Sequence, residues 1–86
     1  MRVAIPSPLA SYTGGLREVE AAGRTLAEVL ADLDRRYPGL RFRVVDEQGA
    51  IREHVRMWVG GRLARTPAEP VGPADEVMIV GALSGG

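Results

Sequence analysis

TLAEVLADLDRRY, Thr25 to Tyr37, is the stretch that decides the fold of this 86-residue chain. Leu26, Val29, Leu30, Leu33 and Tyr37 stand at i, i+3, i+4, i+7 and i+11, the single apolar stripe of an amphipathic helix. Thr25 with Glu28 three residues later has the spacing of a capping box, so the helix begins there. Pro38-Gly39 ends it, because proline cannot continue a helix and glycine accepts the turn that follows. Glu28, Asp32, Arg35 and Arg36 make the other face, charged and turned to water.

The segments around the helix read as strands. Arg2-Val3-Ala4-Ile5 alternates, with Val3 and Ile5 on one side, and Pro6 and Pro8 limit its length. Ser11-Tyr12-Thr13-Gly14-Gly15 has the chemistry of a hairpin loop, and Leu16 to Ala21 follows as the antiparallel partner. Beyond the helix, Phe42, Val44 and Val45 suit either a short strand or packing beneath a loop, and Gln48-Gly49 marks a turn. His54 to Val59 is a strand with Val55, Met57 and Val59 facing one way. Gly60-Gly61 then turns the chain into a short Arg62-Leu63-Ala64. Prolines between Pro67 and Pro73 keep the next stretch irregular, and Glu76 to Val80 is the last strand. One helix with these strands predicts an α+β domain, a mixed four- to five-stranded sheet covered on one face.

A single helix leaves the other sheet face in solvent. If Val55, Met57 and Val59 point inward, Arg56 and Trp58 point out. With Val77 and Ile79 inward, Met78 and Val80 point out as well. Trp, Met and Arg together on an open face have the composition of a partner interface. A register one residue away would bury this set instead.

The residue types exclude much chemistry. There is no cysteine, hence no disulfide, thiolate ligand or thiol nucleophile. With His54 the sole histidine, neither a Cys-His pair nor a cysteine/histidine zinc cluster can be assembled, and no metal site is expected. Ser7, Ser11 and Ser84 fall in loop or tail segments, not on a strand-turn-helix elbow. His54 beside Glu53 reads as an exposed or locally paired residue. Asp46-Glu47 and Asp75-Glu76 are acids at turns, with nothing requiring them to meet. Gly14-Gly15 and Gly60-Gly61 precede no helix that would hold a phosphate, so they read as turns. Formal charge is balanced, which points to neither nucleic acid nor an anionic membrane as a partner. No apolar run reaches membrane-spanning length and no signal-peptide pattern opens the chain, so a cytoplasmic location is expected. All eleven basic residues are arginine, which leaves no side-chain amine to receive an activated carboxylate.

Ala82-Leu83-Ser84-Gly85-Gly86 carries the remaining possibility. Two glycines add nothing to a core. They give instead a slim tail whose α-carboxylate can thread a channel too narrow for any Cβ. The expected organisation is a domain over 1–82 followed by a flexible tail over 83–86. A carboxylate is a poor electrophile, so a partner enzyme must activate it, by adenylation with ATP. The acyl-adenylate then accepts sulfide, a thiol or an amine. On this reading the protein is not an enzyme but a macromolecular co-substrate that binds no cofactor of its own.

Taken together, the hairpin, the Thr25–Tyr37 helix, the Val55–Gly61 strand-turn, Pro73-Ala74-Asp75-Glu76-Val77 and the Gly85-Gly86 end resemble the ThiS/MoaD family. These are ubiquitin-like sulfur carriers with a β-grasp fold, and the likeness covers nearly the whole chain. Tyr12-Thr13-Gly14-Gly15 and Arg52 to Val59 are most similar to a longer-loop branch. That branch holds cysteine-biosynthesis carriers and proteins labelled as the molybdopterin-synthase small subunit. Arg62 to Val71 departs from the family in being poorer in apolar residues. The resemblance implies a thiocarboxylate formed at Gly86, and for site residues it rests on Gly85 and Gly86 alone. Leu83 and Ser84 are expected to accompany them in the partner's channel as the rest of the tail. It implies two partners, a ubiquitin-activating-enzyme-like adenylyltransferase and a sulfur-accepting synthase. Cysteine or molybdopterin is the implied product, ahead of thiamine. Two alternatives stay open: a protein modifier conjugated through Gly86, and an interaction module whose tail is inert.

Overall fold

The structure, a computed structural model, describes residues 1–81. In chain order it contains β1 (Arg2–Ala4), a 3₁₀ helix (Ser7–Thr13), β2 (Glu18–Glu20), α1 (Leu26–Arg36), α2 (Leu40–Val44), β3 (Val55–Val59), β4 (Arg62–Ala64) and β5 (Val77–Gly81). The five strands form one sheet in the order β2-β1-β5-β3-β4. β1 and β5 run parallel and every other pair is antiparallel, so the sheet is mixed as expected. Alternation sends Val3, Val19, Val55, Met57, Val59, Ala64, Val77 and Ile79 to one face. There they share a core with Leu26, Val29, Leu30 and Leu33 of α1.

The N-terminus of α1 is held from two sides. Thr25 Oγ1 accepts from the Glu28 N–H at 3.2 Å, as a capping box requires. Glu28 Oε1 reaches back to the N–H of Arg24 at 2.8 Å, one residue earlier than the reciprocal bond of that motif. The remaining first-turn donors are met by the proline-rich stretch. Leu26 N–H donates to Glu69 O at 3.1 Å and Ala27 N–H to Pro67 O at 2.9 Å. Val71 N–H answers Arg24 O at 2.8 Å, and Val71 is buried. The segment that reads only as irregular is thus a strap across the helix start, ordered by main-chain bonds that its composition does not advertise. Thr25→Ala removes one of these acceptors and is expected to cost about 1 kcal/mol. A melting curve should show that as a fall of roughly 4–8 °C.

Gly60 and Gly61 both have positive φ, +54° and +85°, and join β3 to β4 as a two-residue hairpin with Val59 opposite Arg62. A Cβ on Gly60 would also stand 2.9 Å from Asp75 Oδ1.

Two expectations need correction. The connection between β1 and β2 is not a short hairpin loop at Ser11–Gly15 but a 3₁₀ helix that starts at Ser7. Pro6 and Pro8 set the φ angles that begin it, and buried Thr13 closes it with its hydroxyl 2.7 Å from Leu16 O. Likewise Phe42 lies in neither a strand nor the core: Leu40–Val44 is the helix α2, with Leu40 and Val44 buried and Phe42 turned outward. The two-sided requirement of a helix wins here, since 40 and 44 fall on one side and 41–43 on the other. Val45 is buried and pairs with Ile51 across the Gln48-Gly49 turn, which Asp46 caps by accepting from the Gln48 and Ala50 N–H groups at 2.9 Å.

Candidate functional site

The outer face of the sheet is the candidate site. Register alone builds one row across all five strands: Glu18 stands opposite Ala4, Ala4 beside Met78, Met78 opposite Trp58, and Trp58 opposite Leu63. Every member of that row belongs to the non-core set, so the inward and outward assignment read from the sequence holds. Met78 is 44% exposed and Val80 40%, while Trp58 is half-buried between its cross-strand neighbours. Arg56 lies opposite Val80 and is exposed. Its guanidinium folds back, donating from Nη1 to Glu53 O at 2.8 Å and Val55 O at 3.1 Å, which leaves the apolar row uncovered.

Leu63, 44% exposed, belongs to this patch and is missed by the sequence reading. The signal was present, for a two-residue Gly60-Gly61 turn places residue 63 opposite residue 58 by counting. Towards β2 the face becomes charged, with Arg2 3.6 Å from Glu18 and 3.7 Å from Glu76. The patch is therefore an apolar strip bounded by ion pairs on one side.

β5 is the strand that connects the patch to the tail. It carries Met78 and Val80 outward and ends at Gly81, opposite Val55 of β3. An open groove flanks that end, lined by Pro6, Pro8, Arg17, Met78 and Val80. Leu83, Ser84, Gly85 and Gly86, together with the domain boundary placed at residue 82, lie outside the described residues. A larger groove lies elsewhere, near the N-terminal end of β1, lined among others by Ala22, Gly23, Ala31 and Val71. Its polar rim is already engaged: Asp32 accepts from the Ala22 N–H at 2.9 Å and pairs with Arg35, and these bonds hold its carboxyl below the usual range. That groove lies at the opposite end of β5 from Gly81, so the outer face remains the candidate site.

No other constellation competes among the described residues. His54 is exposed at the entrance to β3, and no group of three metal-ligating side chains is brought together. No helix there is long and apolar enough to cross a membrane.

A family model described as the ThiS family matches residues 3–86. The chain belongs to the ThiS family. Among its relatives is the sulfur carrier protein CysO of Mycobacterium tuberculosis, 34% identical over 98% of this chain and 96% of that protein. A chain in the crystal structure of the Amycolatopsis orientalis BexX/CysO complex superposes with a TM-score of 0.91. It is 31% identical and covers 99% of this chain and 98% of that one. SAMP1 from Haloferax volcanii follows at a TM-score of 0.77, 27% identical, over 100% of this chain and 98% of its own. The α+β architecture is accordingly the β-grasp of ubiquitin-like ThiS-family proteins. The strap over 66–71 lies within Arg62 to Val71, the stretch read from the sequence as poor in apolar residues, and the β-grasp forms with it in place.

Proposed function

We propose that this protein is a sulfur carrier of the cysteine-biosynthesis type, working through the carboxylate of Gly86. The observation that carries the reading is likeness to a sulfur carrier over 98% of the chain, in a fold whose last strand leads directly toward Gly85-Gly86. In the first step a carboxylate oxygen attacks the α-phosphorus of ATP and pyrophosphate departs, leaving an acyl-adenylate. Sulfide then attacks the acyl carbon, AMP leaves, and the product is a terminal thiocarboxylate. A ubiquitin-activating-enzyme-like adenylyltransferase supplies the first step, and a sulfur-accepting synthase consumes the product. ATP belongs to the activating enzyme as its co-substrate. Leu83 to Gly86 occupy the partner's channel, and Trp58, Arg56, Met78, Val80 and Leu63 dock on its mouth.

Docking by the outer face is supported by its composition, and the presence of a similar chain in the BexX/CysO complex supports engagement of a partner protein as such. Mass spectrometry of the protein from its native host tests the reading. Oxygen replaced by sulfur adds about 16 Da, nearly the mass of an oxidised methionine, so the gain must map to the C-terminal peptide and not to Met1, Met57 or Met78. A thiocarboxylate-specific reagent should remove it. A C-terminal peptide that never carries the added mass counts against sulfur carriage.

The likeness to SAMP1, a small archaeal modifier protein, favours a second reading that uses the same chemistry. An activated Gly86 that meets a lysine amine instead of sulfide forms an amide, and the protein becomes a modifier. Since the chain contains no lysine, its copies offer one another no side-chain amine, and any adducts should contain other proteins.

A further inference from the structure

We propose that the outward face of α2, Arg41-Phe42-Arg43, is a second docking surface, fitted to an acidic protein patch with an apolar centre on an enzyme that takes up the tail. The proposal rests on the carrier reading for the identity of that partner. Phe42 is the chain's sole phenylalanine and its most exposed aromatic residue, at 56%. Its exposure is not the looseness of a frayed segment, because α2 is held from three directions. Asp34 Oδ1 accepts from the N–H groups of Gly39 and Arg41 at 3.1 and 3.2 Å. Leu40 and Val44 are fully buried beneath it. Arg52 Nε donates to Phe42 O at 2.6 Å. A ring held outward on a pinned helix keeps its apolar face in water unless a partner covers it.

The charges beside it are also unspent. Arg2, Arg35, Arg36 and Arg62 each pair with a carboxylate, whereas neither Arg41 nor Arg43 does among the described residues. Two unneutralised guanidinium groups flanking an exposed aromatic select an acidic counterpart, and aromatic and Arg residues are the side chains enriched at interface centres. A nucleic acid fits less well. Asp46 and Glu47 follow within a few residues, net charge is zero, and two arginines neutralise few phosphates.

Position ties this face to the tail. Phe42 is bonded to Arg52, Arg52 O accepts from the Val55 N–H at 3.0 Å, and Val55 stands opposite Gly81. This relay links α2 to the end of β5, from which the tail continues, while the α2 face stands on a different element from the Trp58 row. A carrier visits two enzymes in turn, and two separate faces allow each enzyme its own grip.

The test compares R41E/R43E and Phe42→Ala with R24E/R65E, which carries the same charge change on two other arginines that form no ion pair among the described residues. ATP–pyrophosphate exchange is measured with the activating enzyme, and sulfur transfer from preloaded carrier with the accepting enzyme. In at least one reaction, R41E/R43E and Phe42→Ala should raise the half-saturating carrier concentration about tenfold, with maximal rate unchanged. The R41E/R43E effect should shrink as salt rises. R24E/R65E should stay within about twofold of the parent. R41E/R43E matching R24E/R65E in both reactions overturns the proposal. So does a result in which it loses only binding to a duplex DNA or RNA probe. A parent chain that supports no exchange at all overturns the carrier reading and this proposal with it, a failure distinguishable from the first.

Discussion

Deletion of Gly86 is expected to abolish ATP–pyrophosphate exchange with the activating enzyme while leaving the melting curve where it is. The reason is distance. Adenylation needs the carboxylate oxygen in near contact with the α-phosphorus, and removing one residue withdraws it by up to about 3.5 Å. A misplacement of even about 1 Å can lower a rate by about 10²-fold, so the loss here should be at least that. Stability should not follow, because the buried core among the described residues runs from Val3 to Ile79 and includes nothing near position 86. One residue added after Gly86 should be as harmful, since Gly86 is then locked in an amide and the new carboxylate carries a Cβ beside it. An added glycine spares the Cβ but still misplaces the carboxylate. Gly86→Ala keeps the length and adds one methyl group, so it should fall between the parent and the deletion. Exchange at the parent rate by the deletion would mean that the tail is inert and that the protein is an interaction module.

Local periodicity made some of this molecule legible and left the rest dark. The α1 stripe needed no context: four buried side chains recur at helical spacing with a hydroxyl cap in front of them. The two strands that carry Trp58 and Met78 were readable in different degree. Alternation at Val55–Val59 singles out Val55, Met57 and Val59 for burial. Val77–Gly81 offers Met78 and Val80 as readily as Val77 and Ile79, and only the structure selects the latter pair. Leu63 required one more step, counting across the hairpin. Phe42 was opaque for a physical reason. An aromatic flanked by arginines and followed by Val44-Val45 scores as strand or core by residue type, and only the burial of Leu40 and Val44 together turns it outward. The 66–71 strap was opaque for another. It is ordered through main-chain carbonyls of Pro67 and Glu69, which any sequence could supply, so its side chains announce nothing.

Neighbouring residues Met57 and Trp58 should fail in opposite ways when truncated, and the contrast tests the outer-face assignment. Met57 is fully buried against the α1 core, and Met57→Ala leaves a cavity costing about 2–5 kcal/mol. A domain of this size has only about 5–15 kcal/mol in hand, so a fall in melting temperature of more than about 10 °C is expected. The surviving folded fraction should still bind its partner, because nothing on the outer face has changed. Trp58 faces the other way, between Met78 and Leu63. Trp58→Ala removes cross-strand contacts worth about 1 kcal/mol and should shift melting only slightly. It also removes the largest side chain of the apolar strip, and an interface aromatic of this kind contributes roughly 2 kcal/mol or more to binding. Partner affinity should therefore drop about thirtyfold. Both measurements on both variants decide the matter. If Trp58→Ala melts as early as Met57→Ala yet binds its partner normally, Trp58 is there to hold β3 between its neighbours, and the tail must be delivered by another face.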